Sequence, residues 1–210
     1  MLQLKPLTKG ITGIIPGGVT VIDFAIVAET DQISAKEILN VLVANDIGFF
    51  EGETINFNQG DKLRAALFAI EQGAPIEDVA TYLNWKDFEC IVAEILQSKG
   101  FSIIKNLILT KPRMEIDVIG INHGIALLID CKHWKRLSQS ALREIVKKQV
   151  VRVKHYVAKT QGVIAVPAIV TLYQEEVSFI DKVPIIPILQ FSSFVDEFYG
   201  NLDELKTIET

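Results

Sequence analysis

Residues 115–131 consist of two apolar runs separated by Asn122-His123-Gly124. Two β-rich runs around such a turn-forming tripeptide predict a β-hairpin. Around the hairpin, segments with the apolar spacing of a helix alternate with segments with the apolar spacing of a strand. This order predicts an α/β fold with one mixed sheet flanked by helices. The other predicted elements of this half are helices at 87–99, 140–159 and 194–205, and strands at 101–110, 162–172 and 183–189.

The hairpin carries charges inside otherwise apolar strands. Asp117 lies in its first strand, and Asp130-Cys131-Lys132 ends its second strand. Because alternate residues of a strand share a face, Asp130 and Lys132 point one way and Cys131 points the other way. Buried charges are costly unless they are paired or bind a metal. The pattern leaves two interpretations open, a buried Asp–Lys ion pair and a site for a hard divalent cation.

Two helices are expected to direct polar side chains toward this sheet. In the 87–99 helix, Glu89 borders the apolar stripe, whereas Glu94 falls on the far side. In the 140–159 helix, Gln149 falls on or beside the core-facing stripe. A glutamine in that position must find hydrogen-bond partners in the protein interior.

The first 84 residues read as a separate, mostly helical domain. We predict a helix over 34–45 with Ser34 as its N-cap and Glu37 closing a capping box, followed by a hairpin over 48–57. Two more helices follow, at 61–72, ended by Gly73, and from Pro75 onward. This order resembles a winged helix-turn-helix module. The 34–45 helix carries only Lys36 as a basic residue, which favours packing or dimerisation over reading of a DNA groove.

The charge is distributed unevenly along the chain. The formal net charge is -5, from 21 basic and 26 acidic residues, yet residues 131–160 hold nine basic residues and one acid, Glu144. That segment therefore carries +8 and the remainder -13. Such a segment is the part of the chain most attractive to polyanions, although a solvated helix face would give the same pattern.

Composition excludes several other classes of protein. With 49% hydrophobic residues the chain is not intrinsically disordered, and no apolar run is long enough to span a membrane. The N-terminus lacks a signal-peptide pattern, and two cysteines are too few for a disulfide scaffold. These features predict a soluble cytoplasmic protein.

Three short motifs follow one another in this half of the chain: Phe88-Glu89, Glu115-Ile116-Asp117 and Asp130-Cys131-Lys132-His133-Trp134. Their order resembles the PD-(D/E)XK nuclease superfamily, which has the restriction-endonuclease-like fold. The helix length, the hairpin spacing and the Asp-x-Lys triplet are most similar to archaeal Holliday junction resolvases and modification-dependent restriction enzymes. The resemblance covers about residues 85–189, and we place the domain boundaries at 1–84 and 85–210. Ile116 stands where the family name has proline.

The resemblance implies a metal-dependent DNA endonuclease. Asp117, Asp130 and the backbone carbonyl of Cys131 would ligate Mg²⁺, with Mn²⁺ as a substitute, and no organic cofactor is implied. Lys132 would position or deprotonate the attacking water and stabilise charge on the phosphate.

Further roles follow from the same resemblance. Glu89 would orient metal-bound water or complete a second metal site, and Gln149 matches a helical glutamine of some branches. The basic segment would supply phosphate contacts without sequence information. The residues expected to bind nucleic acid are Lys135, Arg136, Arg143, Lys147, Lys148 and Arg152.

Two other functions are compatible with the sequence. One is a non-catalytic nucleic-acid-binding or regulatory protein with a nuclease-like fold, although all four core positions hold chemically competent residues. The other is a transcription regulator led by the N-terminal module, against which its sparse basic charge argues. We expect DNA as the partner, no association with a membrane, and a homodimer, because duplex cleavage needs two cuts and symmetric dimers are the commonest oligomers.

Overall fold

A computed structural model of the chain describes residues 2–75, 78–79, 81–132, 138–160, 162–172 and 176–209, without the side chains of Trp85 and Asp87. Among the described helices, none is long and apolar enough to cross a membrane. The chain divides into two compact units, Met1–Ile91 and Val92–Thr210. The division falls inside a helix, Trp85–Ser98, and the expected boundary at residue 84 stays a prediction.

The first unit consists of short helices and a three-stranded antiparallel sheet of strand order β1-β3-β2. Its core is apolar and fully enclosed, with Leu7, Phe24, Leu39 and Leu63 all at 0% exposure. The elements in chain order are α1 (Leu4–Gly10), β1 (Gly17–Thr20), α2 (Val21–Ala28), α3 (Gln32–Ala44), β2 (Phe49–Glu51), β3 (Thr54–Phe57) and α4 (Asp61–Glu71).

The hairpin of this unit and the end of α4 are confirmed, and the N-cap of α3 was wrong. β2 and β3 pair in antiparallel register, and Gly73 after α4 has φ 98°, in the left-handed region that glycine adopts freely. Helix α3 is capped by Asp31, whose Oδ1 accepts from the backbone N–H groups of Ile33 and Ser34. Ser34 lies within the helix, because the backbone is already extended at Asp31, three residues earlier, and the helix begins at Gln32. The helix predicted from Pro75 lies partly outside the described residues.

The second unit is built on a six-stranded mixed sheet of strand order β4-β5-β6-β7-β9-β8. The first three strands are antiparallel, β6, β7 and β9 are parallel, and β8 returns antiparallel at the edge. This is a mixed α/β unit consistent with a restriction-endonuclease-like fold. Its elements are α5 (Trp85–Ser98, which begins in the first unit), β4 (Ser102–Leu109), β5 (Met114–Asn122), β6 (Ile125–Lys132), α6 (Gln139–Val157), β7 (Ile164–Thr171), β8 (Ser178–Ile180), β9 (Val183–Pro187) and α7 (Ile188–Glu197).

Helices cover both faces of this sheet. The apolar stripe of α6 packs on one face, where Val153 and Tyr156 join a core that includes Leu128 of β6. Leu96 of α5 packs on the other face, against Gly120 of β5, where a Cβ would lie only 2.9 Å from the leucine side chain. The absence of a side chain at Gly120 therefore lets this helix approach the strand closely.

The central hairpin is confirmed, with β5 and β6 paired from Val118–Ile129 to Asn122–Ile125. Its turn residues His123 and Gly124 have φ values of 47° and 77°, the doubly left-handed geometry that matches the twist of a hairpin. The remaining predicted strands also form, with ends shifted by a few residues.

Two features at the C-terminal end differ from the prediction. Helix α7 spans Ile188–Glu197 rather than 194–205, because Pro187 ends β9 and opens the helix at once. The short strand β8 was not predicted, since three residues with an exposed centre carry no readable period.

Candidate active site

The paired part of the β5–β6 hairpin ends next to two carboxylates. Val118–Ile129 is the last pair of the ladder, and Asp117 and Asp130 are the next residues on the two strands. The backbone N–H of Cys131 donates to Asp117 Oδ2 at 2.7 Å. The hydrogen bond ties the Asp117 carboxylate to β6, directly beside the position of Asp130.

Asp130 is buried, at 3% exposure, and each of its oxygens faces a different cation. Oδ1 accepts a hydrogen bond from Arg152 Nη1 at 2.9 Å. Oδ2 lies 2.8 Å from Lys132 Nζ, an ion pair by distance. The angles of that contact are outside hydrogen-bond geometry, so within the described residues Oδ2 has no hydrogen bond.

Gln149 connects helix α6 to the same strand. It is fully buried, and its Nε2 donates to the backbone carbonyl of Leu128 at 2.8 Å. Its Oε1 accepts from Arg152 Nη1 at 3.3 Å. The expectation that this glutamine needs interior partners is confirmed, and one of those partners is the arginine that holds Asp130.

The electrostatics of the cluster favour a cation. Burial raises the pKa of Asp117 above its ordinary value, and the neighbouring negative charge of Asp130 raises it further. The Cys131 N–H and the charges of Lys132 and Arg152 oppose this shift without cancelling it. Two desolvated carboxylates side by side repel each other, and a bound divalent cation would remove that repulsion.

The residues present fit a small oxygen-coordinated ion. Among the described residues, no group of three or more His, Cys, Asp and Glu side chains is gathered to hold a metal. Mg²⁺, however, is commonly held by one or two carboxylates, with water and substrate phosphate completing its shell. Asp117 and Asp130 supply such a pair, and Asp130 Oδ2 is a buried oxygen without a hydrogen bond in the described chain.

The other predicted site residues lie apart from this cluster or outside the description. Glu89 is buried on α5, in the part of the chain assigned to the first unit, and its relation to the carboxylate pair stays a prediction. On α6 the side chains of Arg143, Lys147 and Lys148 are exposed, and Lys147 pairs with Glu144 at 2.8 Å. Lys135 and Arg136, with His133 and Trp134, lie outside the described residues.

Sequence reasoning missed two features of the cluster. Arg152 was expected to bind nucleic acid, yet its side chain reaches Asp130. The signal in the sequence was its i,i+3 spacing from Gln149, which it also contacts. Thr171 is the register partner of Lys132 on β7, and its buried hydroxyl has no hydrogen-bond partner among the described residues. A single threonine near the end of an apolar run gave no comparable signal.

Residues 80–171 match the restriction endonuclease family Mrr_cat. The match covers β4 to β7 and includes Asp117, Asp130, Lys132 and Gln149. The match supports the resemblance of this segment to the PD-(D/E)XK superfamily. A search of curated proteins gives no match.

Several solved structures are similar to the chain. The protein of unknown function AF1548 is 24% identical, with a TM-score of 0.32 over 42% of this chain and 48% of that chain. VC1899 from Vibrio cholerae is 13% identical, with a TM-score of 0.42 over 96% of this chain and 52% of that chain. Can2 from Sulfobacillus thermosulfidooxidans, solved in complex with cyclic tetra-adenylate, is 12% identical. Its TM-score is 0.37 over 94% of this chain and 50% of that chain. The chain thus spans about half the length of each of these proteins.

Proposed function

We propose that this protein is a metal-dependent endonuclease that hydrolyses DNA phosphodiester bonds, in repair, recombination or restriction. The observation that carries the proposal is the pair Asp117 and Asp130 at the end of the β5–β6 ladder, with Lys132 Nζ 2.8 Å from Asp130. The pair lies within the segment that matches a restriction endonuclease family, which supports the same activity.

Asp117 and Asp130 are the proposed ligands of Mg²⁺, with the Cys131 carbonyl as a third. When bound, the divalent cation supplies a hydroxide nucleophile near neutral pH and offsets negative charge on the phosphate. Mn²⁺ shares the preference for oxygen ligands and is expected to substitute.

Lys132 is the proposed catalytic cation. Its ammonium group carries three N–H donors, which position the attacking water and stabilise the charge that develops on the phosphate oxygens. Water adds to phosphorus, one P–O ester bond breaks, and the leaving oxygen takes up a proton. Glu89 is proposed to assist by orienting water at the metal, since it is a buried carboxylate within the matched segment.

The basic segment is proposed to bind the DNA backbone. Arg143 and Lys148 are exposed on the helix that also carries Gln149, so phosphate contacts there would lie along the same element as the site. Lys135, Arg136 and Lys147 are proposed to add to this surface.

For the first unit we propose a winged-helix-like module that serves packing or dimerisation. The element order of helix, strand, two helices and a β-hairpin supports this, as does the single basic residue, Lys36, on α3. Sedimentation at micromolar concentration tests the homodimer, and a monomer would contradict it.

The activity is tested with end-labelled duplex, single strand, flap and four-way junction DNA, each in Mg²⁺ and in Mn²⁺. We expect cleavage of at least one substrate by the wild type and none by Asp130→Asn. Asp203→Asn, which changes an exposed carboxylate of the same unit, is the matched control and should cleave like wild type. Cleavage that survives Asp130→Asn would contradict the site. DNA binding without cleavage of any substrate would favour the non-catalytic binding protein.

A further inference from the structure

Arg152 is the one basic residue expected on the DNA-binding face of α6 for which the described contacts show an inward partner. Its side chain is 24% exposed, whereas Arg143 and Lys148 on the same helix are exposed. Its Nη1 donates to Asp130 Oδ1 at 2.9 Å. A guanidinium held in this way donates to a buried carboxylate while part of it remains accessible to solvent.

The arginine is itself held by a buried partner. The same Nη1 donates to Gln149 Oε1, and Gln149 Nε2 donates to the Leu128 carbonyl. Leu128 and Asp130 are two residues apart on β6 and share a face. Beside its apolar packing, helix α6 therefore makes two described polar contacts with this strand, one to the backbone of Leu128 and one to the side chain of Asp130.

The two oxygens of Asp130 are not equivalent. Oδ1 has the hydrogen bond from Arg152, which is anchored through Gln149. Oδ2 has the 2.8 Å contact to Lys132 outside hydrogen-bond geometry, and Lys132 is the last residue of its strand. Oδ2 is thus the oxygen that exchanges its partner more easily.

We propose, building on the proposed nuclease function, that Arg152 is a positioning residue for the Asp130 carboxylate and not a contact to DNA phosphate. It fixes Oδ1 and so leaves Oδ2 as the oxygen that exchanges Lys132 for a divalent cation. The exchange frees Lys132 for the substrate phosphate, while the Arg152–Asp130 pair is kept throughout.

The test separates an effect on the metal from an effect on DNA. Mn²⁺ alone is titrated calorimetrically into wild type, Arg152→Gln and the matched control Lys148→Gln. Binding of a fluorescein-labelled duplex is measured by anisotropy in EDTA over a range of KCl concentrations. Loss of a hydrogen-bond partner of a metal-binding carboxylate typically weakens metal affinity by about 10–100-fold.

We expect Arg152→Gln to weaken Mn²⁺ binding by about 10–100-fold and to leave the salt slope of DNA binding unchanged. Lys148→Gln should keep the Mn²⁺ affinity of wild type and reduce the magnitude of the salt slope of DNA binding by about 0.9. If Arg152→Gln does not fold, Arg152→Lys replaces it, because lysine keeps the positive charge. Its Mn²⁺ affinity should lie between that of wild type and the value expected for Arg152→Gln, and its salt slope of DNA binding should equal that of wild type.

A reduced salt slope with unchanged Mn²⁺ affinity in Arg152→Gln would overturn the inference, because it would make Arg152 a phosphate contact. Tighter Mn²⁺ binding would also overturn it, because Arg152 would then only compete with the metal for Asp130. A wild-type protein that neither binds Mn²⁺ nor cleaves DNA would overturn the proposed function itself, so the two failures are distinguishable.

Discussion

At the scale of single residues, the two carboxylates of the cluster are expected to change the free energy of unfolding in opposite directions. Asp130 is paired with Arg152 and Lys132, whereas the pKa of Asp117 is raised by burial and by Asp130. The sequence predicted both carboxylates because charges stand out in apolar strands. It also left open a buried Asp–Lys ion pair, which Asp130 and Lys132 form. It could not predict the pairing with Arg152, which is 22 residues from Asp130 in the chain and meets it only through the packing of α6 on β6.

Asp117→Asn is expected to stabilise the protein in the absence of divalent cations. A carboxyl group whose pKa is higher in the folded than in the unfolded state binds more protons when folded, so stability falls as pH rises through that range. The loss of folding stability caused by the buried charge of Asp117 is complete above the folded-state pKa, and the neutral Asn side chain removes that loss. Thermal unfolding in EDTA should show a higher Tm than wild type at neutral pH. The difference should disappear as pH falls below the ordinary Asp value, about 3.9. A lower Tm at neutral pH would contradict this reading of Asp117.

Gln149→Leu is expected to destabilise the protein by about 1–3 kcal/mol, because the buried carbonyl of Leu128 loses its donor. Urea unfolding measures the change. Gln139→Leu, an exposed glutamine at the start of the same helix, is the control and should change stability by less than about 0.5 kcal/mol. Equal effects of the two substitutions would show that the Gln149 hydrogen bond contributes nothing.

At the scale of elements, the long periodic segments were predictable and the short ones were not. The hairpin of β5 and β6 follows from its turn and its apolar runs, and α6 follows from a stripe of apolar residues over five turns. The cap of α3 was misplaced because Asp31 and Ser34 are both good N-caps, and only the backbone at Asp31 is extended. Helix α7 was shifted because Pro187 ends a strand and caps a helix at the same residue.

The N-cap of α6 is expected to contribute to the stability of the helix that holds the site. Ser138 Oγ accepts from the backbone N–H of Ala141 at 3.2 Å. Ser138→Ala should cost about 1 kcal/mol in chemical unfolding. Ser140→Ala, which leaves that bond in place, should cost less. If the two serines were equivalent, the assigned cap would be wrong.

At the scale of the whole molecule, the net charge of -5 conceals a basic segment of +8. If this segment binds DNA, affinity should fall steeply with salt, since each neutralised phosphate contributes about -0.9 to the slope of log K against log salt. Arg143→Gln should reduce the magnitude of that slope by about 0.9, and Lys36→Gln on α3 should leave it unchanged. Anisotropy titrations measure both, and an equal effect of Lys36→Gln would show that the first unit contacts DNA.

The central claim is that Asp117 and Asp130 form a metal-dependent catalytic centre, and Asp117→Asn tests it most directly. Because this substitution is expected to raise the Tm, loss of activity cannot be attributed to unfolding. In single-turnover cleavage with Mg²⁺, we predict a rate more than about 100-fold below wild type. DNA affinity in EDTA should be at least that of wild type, since the substitution removes a negative charge. Cleavage at the wild-type rate by this folded variant would contradict the account.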